Sequence, residues 1–494
     1  MLRRITPLAL IILSAVLLSL SFSSFNLGVL AWVGLVPLFL ALENKSFWQS
    51  WRWAYFCGLI FWSATIYWLI HVTFLGLVIL ILYSAIYFGI FGLAFYFFRR
   101  AVLVQQLLFL PCVWVGLEYA RSYLFTGFPW ALLGFSQYKF LPIIQIAAFT
   151  GVWGVSFLVS FVNLLVYLII RRNLKFKSGL CSALVLIFVF SYGIYVLNFK
   201  PLVSAATPKV KVTVIQGDIP QELKWDHFAQ NFILRNYQEL ILACAKERAD
   251  LIIFPEASMP WFWGTETQKF KPIFSLAQEL KTTFLVGTVS DLGEQYFNSA
   301  LLISGLKLPL EIYHKLHLVP FGEYIPFKKT FPFLETIVPI GDIQAGTNPV
   351  VFTHPVKFSV LICFEDLFPE LSRKFVAGGA KFLVNITNDA WYKQGSAPYQ
   401  HFAASVFRAV ENRVYLARSA NTGISGFIDP RGRVLALVKD AKNQEIFIKG
   451  FQSQDIFLVS EPPTFYNRYG DWLIILCFLY SFSVILYYLR SNKG

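Results

Sequence analysis

Val360-Leu361-Ile362-Cys363-Phe364-Glu365-Asp366 reads as a short apolar strand that stops at a thiol and runs on into two carboxylates. A run of apolar residues with no polar alternation is expected to be buried on both faces, as in a layered α/β sheet. Two other runs end the same way: Leu251-Ile252-Ile253-Phe254-Pro255-Glu256, and residues 308–312 followed by Tyr313-His314-Lys315. The carboxyl ends of strands in such a sheet are where distant parts of a chain meet beside a cleft, so a carboxylate, an amine and a thiol are expected to converge. Further strands are predicted at 210–214, 284–287, 300–303 and 382–386, with helices at 228–246 and 399–413 between them. That alternation argues for an α/β layered fold.

Outward from this segment the chain changes character. Residues 209–465 carry mixed charge and turns, enough for one large globular domain. On either side lie apolar runs fit to cross a hydrocarbon core of roughly 30 Å, near 6–22, 27–42, 53–71, 73–98, 101–120, 142–169, 179–198 and 471–489. Short cytoplasmic connections are richer in Lys and Arg. Arg3 and Arg4 therefore put the N-terminus inside, and Lys45 with Arg52, Arg99 with Arg100, and Arg171, Arg172, Lys175 and Lys177 mark the connections after spans two, four and six. The alternate connections are poorer: none at 21–26, none at the His71 turn, and Arg121 and Lys139 after span five. Arg490 and Lys493 close the pattern inside.

The expected architecture is thus a polytopic α-helical membrane domain of eight transmembrane helices, seven within 1–200 and one within 466–494, with both termini cytoplasmic. The 209–465 domain is expected outside, on the periplasmic side of a bacterial inner membrane. The first run follows Met1-Leu2-Arg3-Arg4 in the manner of a secretory signal, but the span count requires that it be retained. Thr126-Gly127-Phe128-Pro129-Trp130, broken by Gly and Pro, reads either as a loop or as a re-entrant segment.

With 56% hydrophobic and only 14% charged residues, the chain needs lipid as part of its solvent. The net charge of +14 is spread thinly rather than gathered among stacking aromatics, which argues against nucleic acid as a partner. Cys57, Cys112, Cys181, Cys244, Cys363 and Cys477 show no paired spacing, so no disulfide framework is implied. His314 and His317 flank Lys315 without an acidic or second thiolate ligand at metal spacing; no metal and no cofactor are expected, and these histidines are expected to shape the lysine's pocket. Trp261, Phe262 and Trp263 read either as ordinary core or, the preferred reading, as a mobile lid dipping into the lipid interface, where Trp is favoured.

The three strand ends fit one chemistry. A thiol attacking a carbonyl needs a base for its proton, and Glu256 serves. Lys315 favours the thiolate over the thiol and then donates to the oxyanion. Without it, Glu365 and Asp366 would push the thiol the wrong way. Singly each residue has an ordinary role: a core cysteine, a helix cap, a surface amine.

Phe254-Pro255-Glu256, Tyr313-His314-Lys315 and Cys363-Phe364-Glu365-Asp366 resemble the Glu-Lys-Cys motifs of the nitrilase superfamily. More narrowly, Lys315-Leu316-His317-Leu318-Val319-Pro320-Phe321-Gly322-Glu323-Tyr324-Ile325-Pro326 resembles the lysine segment of the apolipoprotein N-acyltransferases. Val214-Ile215-Gln216-Gly217, Lys224-Trp225, Asn385-Ile386-Thr387-Asn388-Asp389-Ala390-Trp391 and Asn421-Thr422-Gly423 are similar to further family segments in the expected order.

The resemblance implies a nitrilase-like αββα sandwich, with Cys363 as nucleophile, Glu256 as general base and Lys315 at the oxyanion. It implies supporting roles for Glu323 and Glu365, and places Trp225, Asn298 and Trp391 near the substrate. It further implies a glycerophospholipid acyl donor, phosphatidylethanolamine among candidates, and a diacylglyceryl-cysteine lipoprotein as acceptor. Since both carry acyl chains that leave a bilayer only at about 0.8 kcal/mol per methylene, Cys363 is expected near the membrane surface. Phe364 stands where the family often has Tyr, and Lys393 where Gly is common. The competing readings are a membrane-tethered amidase of the same superfamily and a transporter or sensor with an outer ligand domain; the near absence of ionisable residues within the spans weighs against the latter.

Overall fold

The computed structural model describes residues 6–25, 27–99, 103–200, 207–305, 310–326, 343–459 and 462–491; Arg3, Arg4, Arg100, Lys493 and the first two positions of the 308–312 run lie outside them. The chain divides into two units, Met1–Lys200 with Tyr469–Gly494, and Pro201–Arg468.

The first unit is helical. Its longer helices are Pro7–Leu20, Phe47–Thr65, Phe74–Phe98, Leu103–Tyr123, Val152–Ile170, Phe176–Asn198 and Trp472–Ser491. Among the described residues, three stretches are long and apolar enough to cross a membrane: Phe74–Phe97, Val152–Ile170 and Phe176–Asn198. On the last, Ile187 and Phe188 are 60% and 73% exposed, an outer face that water would not favour. Two runs expected as single spans are interrupted. Residues 27–42 form the short helices Ala31–Gly34 and Val36–Leu42, the second starting with Pro37 in its first turn, where a missing N–H is harmless. Residues 142–169 break at Gly151, whose φ of +65° suits glycine, and only Val152–Ile170 is long. The third run begins earlier than expected, at Phe47, because Ser46 and Gln49 form a capping box.

One end of this unit collects basic side chains. Arg99 Nη1 donates to the carbonyls of Glu43 at 2.7 Å and Lys45 at 2.8 Å, and Arg171 Nε pairs with Glu43 at 2.6 Å. Elsewhere, Trp153 Nε1 donates to Asp471 at 2.9 Å and Trp472 Nε1 to the Phe149 carbonyl at 2.7 Å, so the starts of Val152–Ile170 and Trp472–Ser491 lie together. The 126–130 segment folds inward as a loop: Arg121 donates to the carbonyls of Phe128 and Trp130, and the Trp130 ring is buried against Trp68.

The second unit holds two sheets built from β1 (Lys209–Gln216), β2 (Leu251–Ile253), β3 (Phe262–Trp263), β4 (Thr283–Leu292), β5 (Gln295–Ser304), β6 (Glu311–His314), β7 (Ser359–Ile362), β8 (Phe382–Thr387), β9 (Tyr415–Ala420), β10 (Gly426–Ile428), β11 (Val434–Leu437) and β12 (Gly450–Phe457). One sheet runs β12-β1-β2-β4-β5-β6 with β3 also on β4; the other runs β11-β10-β9-β8-β7. The strands that end at Glu256 and Cys363 are parallel to their neighbours β1 and β4, and β8, respectively. The sheets stack, and Ser419 Oγ on β9 donates across to the carbonyls of Ile215 (2.7 Å) and Ile253 (3.1 Å). Helix Gln230–Cys244 lays Tyr237, Leu240 and Ile241 into a core with Ile215, Ile252, Phe254 and Phe284. Helices Pro369–Ala377 and Ala397–Asn412 cover the other sheet, completing an α-β-β-α order.

The aromatic run 261–263 is not a lid. Trp261 is 4% exposed and packs edge-on to Phe270, Trp263 packs on Phe270 and Phe274, and Phe262 and Trp263 pair with β4 as β3. The amphipathic helix Lys271–Leu280 offers those rings an apolar face, which outcompetes a place at the interface.

Candidate active site

β2 delivers Glu256 through a tight turn in which Ala257 adopts a left-handed φ of +46°. The turn presses on Gly287 of β4 so closely that a Cβ there would collide with the Pro255 carbonyl oxygen. From the adjacent β5, Asn298 Nδ2 donates to Glu256 Oε1 and Glu323 Oε1, both at 2.7 Å. Among the described residues its Oδ1 is buried without a hydrogen-bond partner, a carbonyl oxygen able to accept.

β6 runs directly into Lys315, whose backbone N–H donates to the Asn298 carbonyl at 2.8 Å. Its Nζ lies 2.8 Å from Glu323 Oε2 and 3.8 Å from Glu256 Oε1, with the side chain 1% exposed. Burial alone would lower this amine's pKa, but Glu323 and then Glu256 outweigh it and hold it above the ordinary lysine value. Lys315 is therefore a permanent cation.

β7 delivers Cys363, which also sits at positive φ, +52°, at the head of the turn Cys363–Leu367. A non-glycine residue there is strained by about 1–2 kcal/mol, and the surroundings hold it. Asn385 Nδ2 (3.3 Å) and His401 Nε2 (3.2 Å) both meet the Cys363 carbonyl. Burial, then Glu256, push the thiol well above its ordinary pKa, with Lys315 acting against them. A shift in that direction favours the neutral thiol over the thiolate.

Glu365 joins the cysteine turn to the lysine loop. Its Oε1 accepts from Tyr313 Oη (2.7 Å), Leu316 N (2.7 Å) and His317 N (3.1 Å), and its Oε2 from Ile362 N (2.7 Å). Asp366 turns away from the thiol into a fully buried network. There Asp366 meets Arg418 Nη1 at 2.9 Å and His401 Nε2 at 2.9 Å, while Asp389 meets His401 Nδ1 at 2.9 Å and Arg418 Nη2 at 3.4 Å. Both ring nitrogens of His401 face carboxylate oxygens, so both must donate and the ring is an imidazolium. Burial opposes that charge, but Asp366 and Asp389 lift the pKa to about 9. The carboxylates that raise the thiol are thus Glu256 and Asp389, not the Glu365-Asp366 pair beside it in sequence.

At the rim, Trp225 is 44% exposed and stacks on Phe262 at 5.7 Å, while Trp391 is 48% exposed on the turn Asp389–Tyr392. Lys393 has φ +52° and ψ −164°, a region nearly reserved for glycine. Phe364 packs on Phe368 at 5.3 Å and near His317 at 6.0 Å. His314 Nδ1 meets Ser299 Oγ at 2.8 Å and its ring lies on Phe297, while His317 lies 3.7 Å from Phe368. The sequence reading passed over Lys224, Asp389, His401 and Arg418. Lys224 and Asp389 both stood within quoted segments without being given a role; His401 and Arg418 carried no local signal.

Comparison with known proteins adds to this geometry. Residues 14–165 match the model of the apolipoprotein N-acyltransferase N-terminal domain, and residues 211–458 that of carbon-nitrogen hydrolase. The chain is similar to the apolipoprotein N-acyltransferase of Geobacter metallireducens, at 40% identity over 94% of this chain and 92% of that one. It is similar to the apolipoprotein N-acyltransferase of Chlorobaculum tepidum at 32% identity, over 87% of this chain and 88% of that one. A solved structure, that of the C. elegans NitFhit protein, is similar over 51% of this chain and 62% of that one, at 19% identity and a TM-score of 0.39.

Proposed function

The chain belongs to the apolipoprotein N-acyltransferase family, enzymes of lipoprotein N-acylation, and from that premise we propose how its own residues carry the reaction. In the first half-reaction Cys363 Sγ bonds to an ester carbonyl carbon of a glycerophospholipid. Glu256 takes the thiol proton and the Lys315 ammonium faces the oxyanion. Collapse breaks the ester C–O bond, Glu256 returns the proton to the departing lysophospholipid oxygen, and a thioester remains. In the second, the α-amine of a diacylglyceryl-cysteine lipoprotein attacks the thioester carbonyl, its proton passes to Glu256, the C–S bond breaks, and Glu256 returns the proton to the leaving sulfur to regenerate the thiol. A thioester suits this division because it is reached from an oxygen ester in one exchange and is reactive toward amines.

The observation that carries this reading is the convergence, in one buried cluster, of a neutral thiol, a permanently charged amine and a carboxylate bridged to a second carboxylate by Asn298. Glu323 holds the lysine and Glu365 holds the loop that bears it. Trp225 and Trp391, both exposed beside this cluster, are the surfaces on which we place substrate, together with Asn298 Oδ1.

We place the reaction at the outer face of a bacterial inner membrane, with eight crossings and both termini in the cytoplasm. Phosphatidylethanolamine is the proposed donor. The grouping of Arg99, Lys45, Glu43 and Arg171 at one end of the helical unit supports the orientation, since those residues mark connections of the same expected side.

Incubating the Cys363→Ala protein with labelled phospholipid and a diacylated lipopeptide tests the assignment. Acyl labelling of the protein and N-acylation of the peptide should both disappear; persistence of either means another nucleophile. With the wild-type protein and no acceptor, a stable acyl-protein supports transfer, whereas rapid release of free fatty acid would mean hydrolysis.

A further inference from the structure

Lys224 is a second buried amine at the site, and no step above uses it. The residue is 3% exposed, and its Nζ donates to the carbonyl oxygens of Glu256 at 3.0 Å and Ala257 at 3.2 Å. Among the described residues no carboxylate lies within ion-pairing distance of it, in contrast to Lys315 with Glu323. Burying an ammonium against neutral carbonyls is unfavourable unless the arrangement serves another end. Burial accordingly brings its pKa down to about 8, with Glu256 and Cys363 only partly offsetting the shift.

The two carbonyls it grips belong to the turn that carries Glu256, where Ala257 stands in the left-handed region at φ +46°. The other constraints on this turn come from β4 and β5: Ser258 N and Oγ reach the Gly287 carbonyl at 2.8 and 2.9 Å, and Asn298 holds the carboxylate. None of these binds the Glu256 and Ala257 carbonyls. We propose that Lys224 is a positioning residue for the general base, clamping both carbonyls of its strained turn so that the Glu256 carboxylate faces the thiol in both half-reactions.

This rests on the roles given above to Glu256 and Cys363. The titratable and charged groups around Lys224 are those two, with Lys315 and Glu323 beyond the Glu256 carboxylate. As an ammonium, Lys224 makes two charge-assisted bonds; as an amine it makes weaker ones and loosens the turn. Formation of the acyl-enzyme should therefore decline as pH rises through about 8.

The test uses the full-length enzyme with K224M and K224R substitutions. The rate of acyl-enzyme formation from labelled phospholipid, a step that involves no amine acceptor, is followed between about pH 6 and about pH 10, across the ordinary histidine and lysine ranges. Near neutrality K224M should form acyl-enzyme roughly 100-fold more slowly, the scale of a misplaced reacting group, with the half-saturating phospholipid concentration unchanged. K224R should retain most of the rate and lose the decline above about pH 8, because a guanidinium stays charged. A K224M rate within about twofold of wild type, or a K224R profile that still declines as wild type does, overturns the proposal; where K224M fails to fold, the K224R profile decides. Labelling of C363A in parallel would instead mean that the nucleophile assignment has failed.

Discussion

Replacing Glu365 with glutamine asks whether the nucleophile turn and the lysine loop are held as one piece. Glutamine has a single oxygen. In its better orientation it keeps the Tyr313, Leu316 and His317 donors and turns its amide nitrogen toward the Ile362 N–H. One bond is lost outright, the other three lose their charge assistance and two donors face each other, a loss of about 2–4 kcal/mol. An opposite term offsets it. Burial lifts the Glu365 carboxyl from 4.5 to about 7, so its ionised form is disfavoured in the folded chain. Wild-type stability therefore falls as pH rises from about 4.5 to about 7, by about 3 kcal/mol in all, and a neutral glutamine does not incur that loss. The two terms nearly cancel, so the midpoint of thermal unfolding at neutral pH should move little. Activity should not be spared. Ile362 precedes Cys363 and Leu316 follows Lys315, and a shift of about 1 Å between them should slow acyl-enzyme formation about 100-fold. The measurement is labelling by a radioactive or fluorescent phospholipid, run beside a melting curve. A wild-type labelling rate, or a loss of rate matched by loss of folded protein, would refute the reasoning.

Two further outcomes are expected. His401, lifted to about 9 from 6.5 by Asp366 and Asp389 against the effect of burial, stabilises the fold fully below about pH 6.5 and less as pH rises through about 9. Chemical denaturation across that window should show the decline in wild type and not in His401→Gln, whose stability should drop by about 3–5 kcal/mol at neutral pH because two buried aspartates lose a partner. Lys393→Gly relieves a backbone conformation that side chains disfavour and should raise stability by about 1 kcal/mol, read as a higher unfolding midpoint with unchanged acylation.

The parts of the fold legible in the sequence are those where composition is extreme over a short window. β2 and most of β7 are continuous apolar runs, and the side chains that follow them, Glu256 and Cys363, stand where each run stops. β10, β11 and β12 were not legible: β10 is only three residues long, β11 is four residues and partly exposed, and β12 carries Gln452, Ser453, Gln454 and Asp455 in a row; they form because β9 and β1 offer paired edges. Run lengths in the helical unit were also blurred, since Pro37 and Gly151 divide stretches that hydropathy alone joins. The charged network under Cys363 was hidden for another reason. Asp366, Asp389, His401 and Arg418 come from four separate elements, and a buried arginine or histidine looks no different in sequence from an exposed one until its partners are placed. The lid assigned to Trp261–Trp263 failed because aromatic clusters signal a buried core as readily as an interface.

The helical unit is discontinuous: helix Trp472–Ser491 lies along Leu103–Tyr123, with Phe478 against Tyr119 and Asp471 on Trp153. A ribosome must therefore make all of residues 201–468 before the bundle receives its final stave. During that interval the groove kept for the last helix is open to lipid or to another chain. A stop codon just before Trp472 would release a polypeptide with every reacting group in place and the bundle unfinished, so such truncations should act as assembly defects rather than as mild trimming.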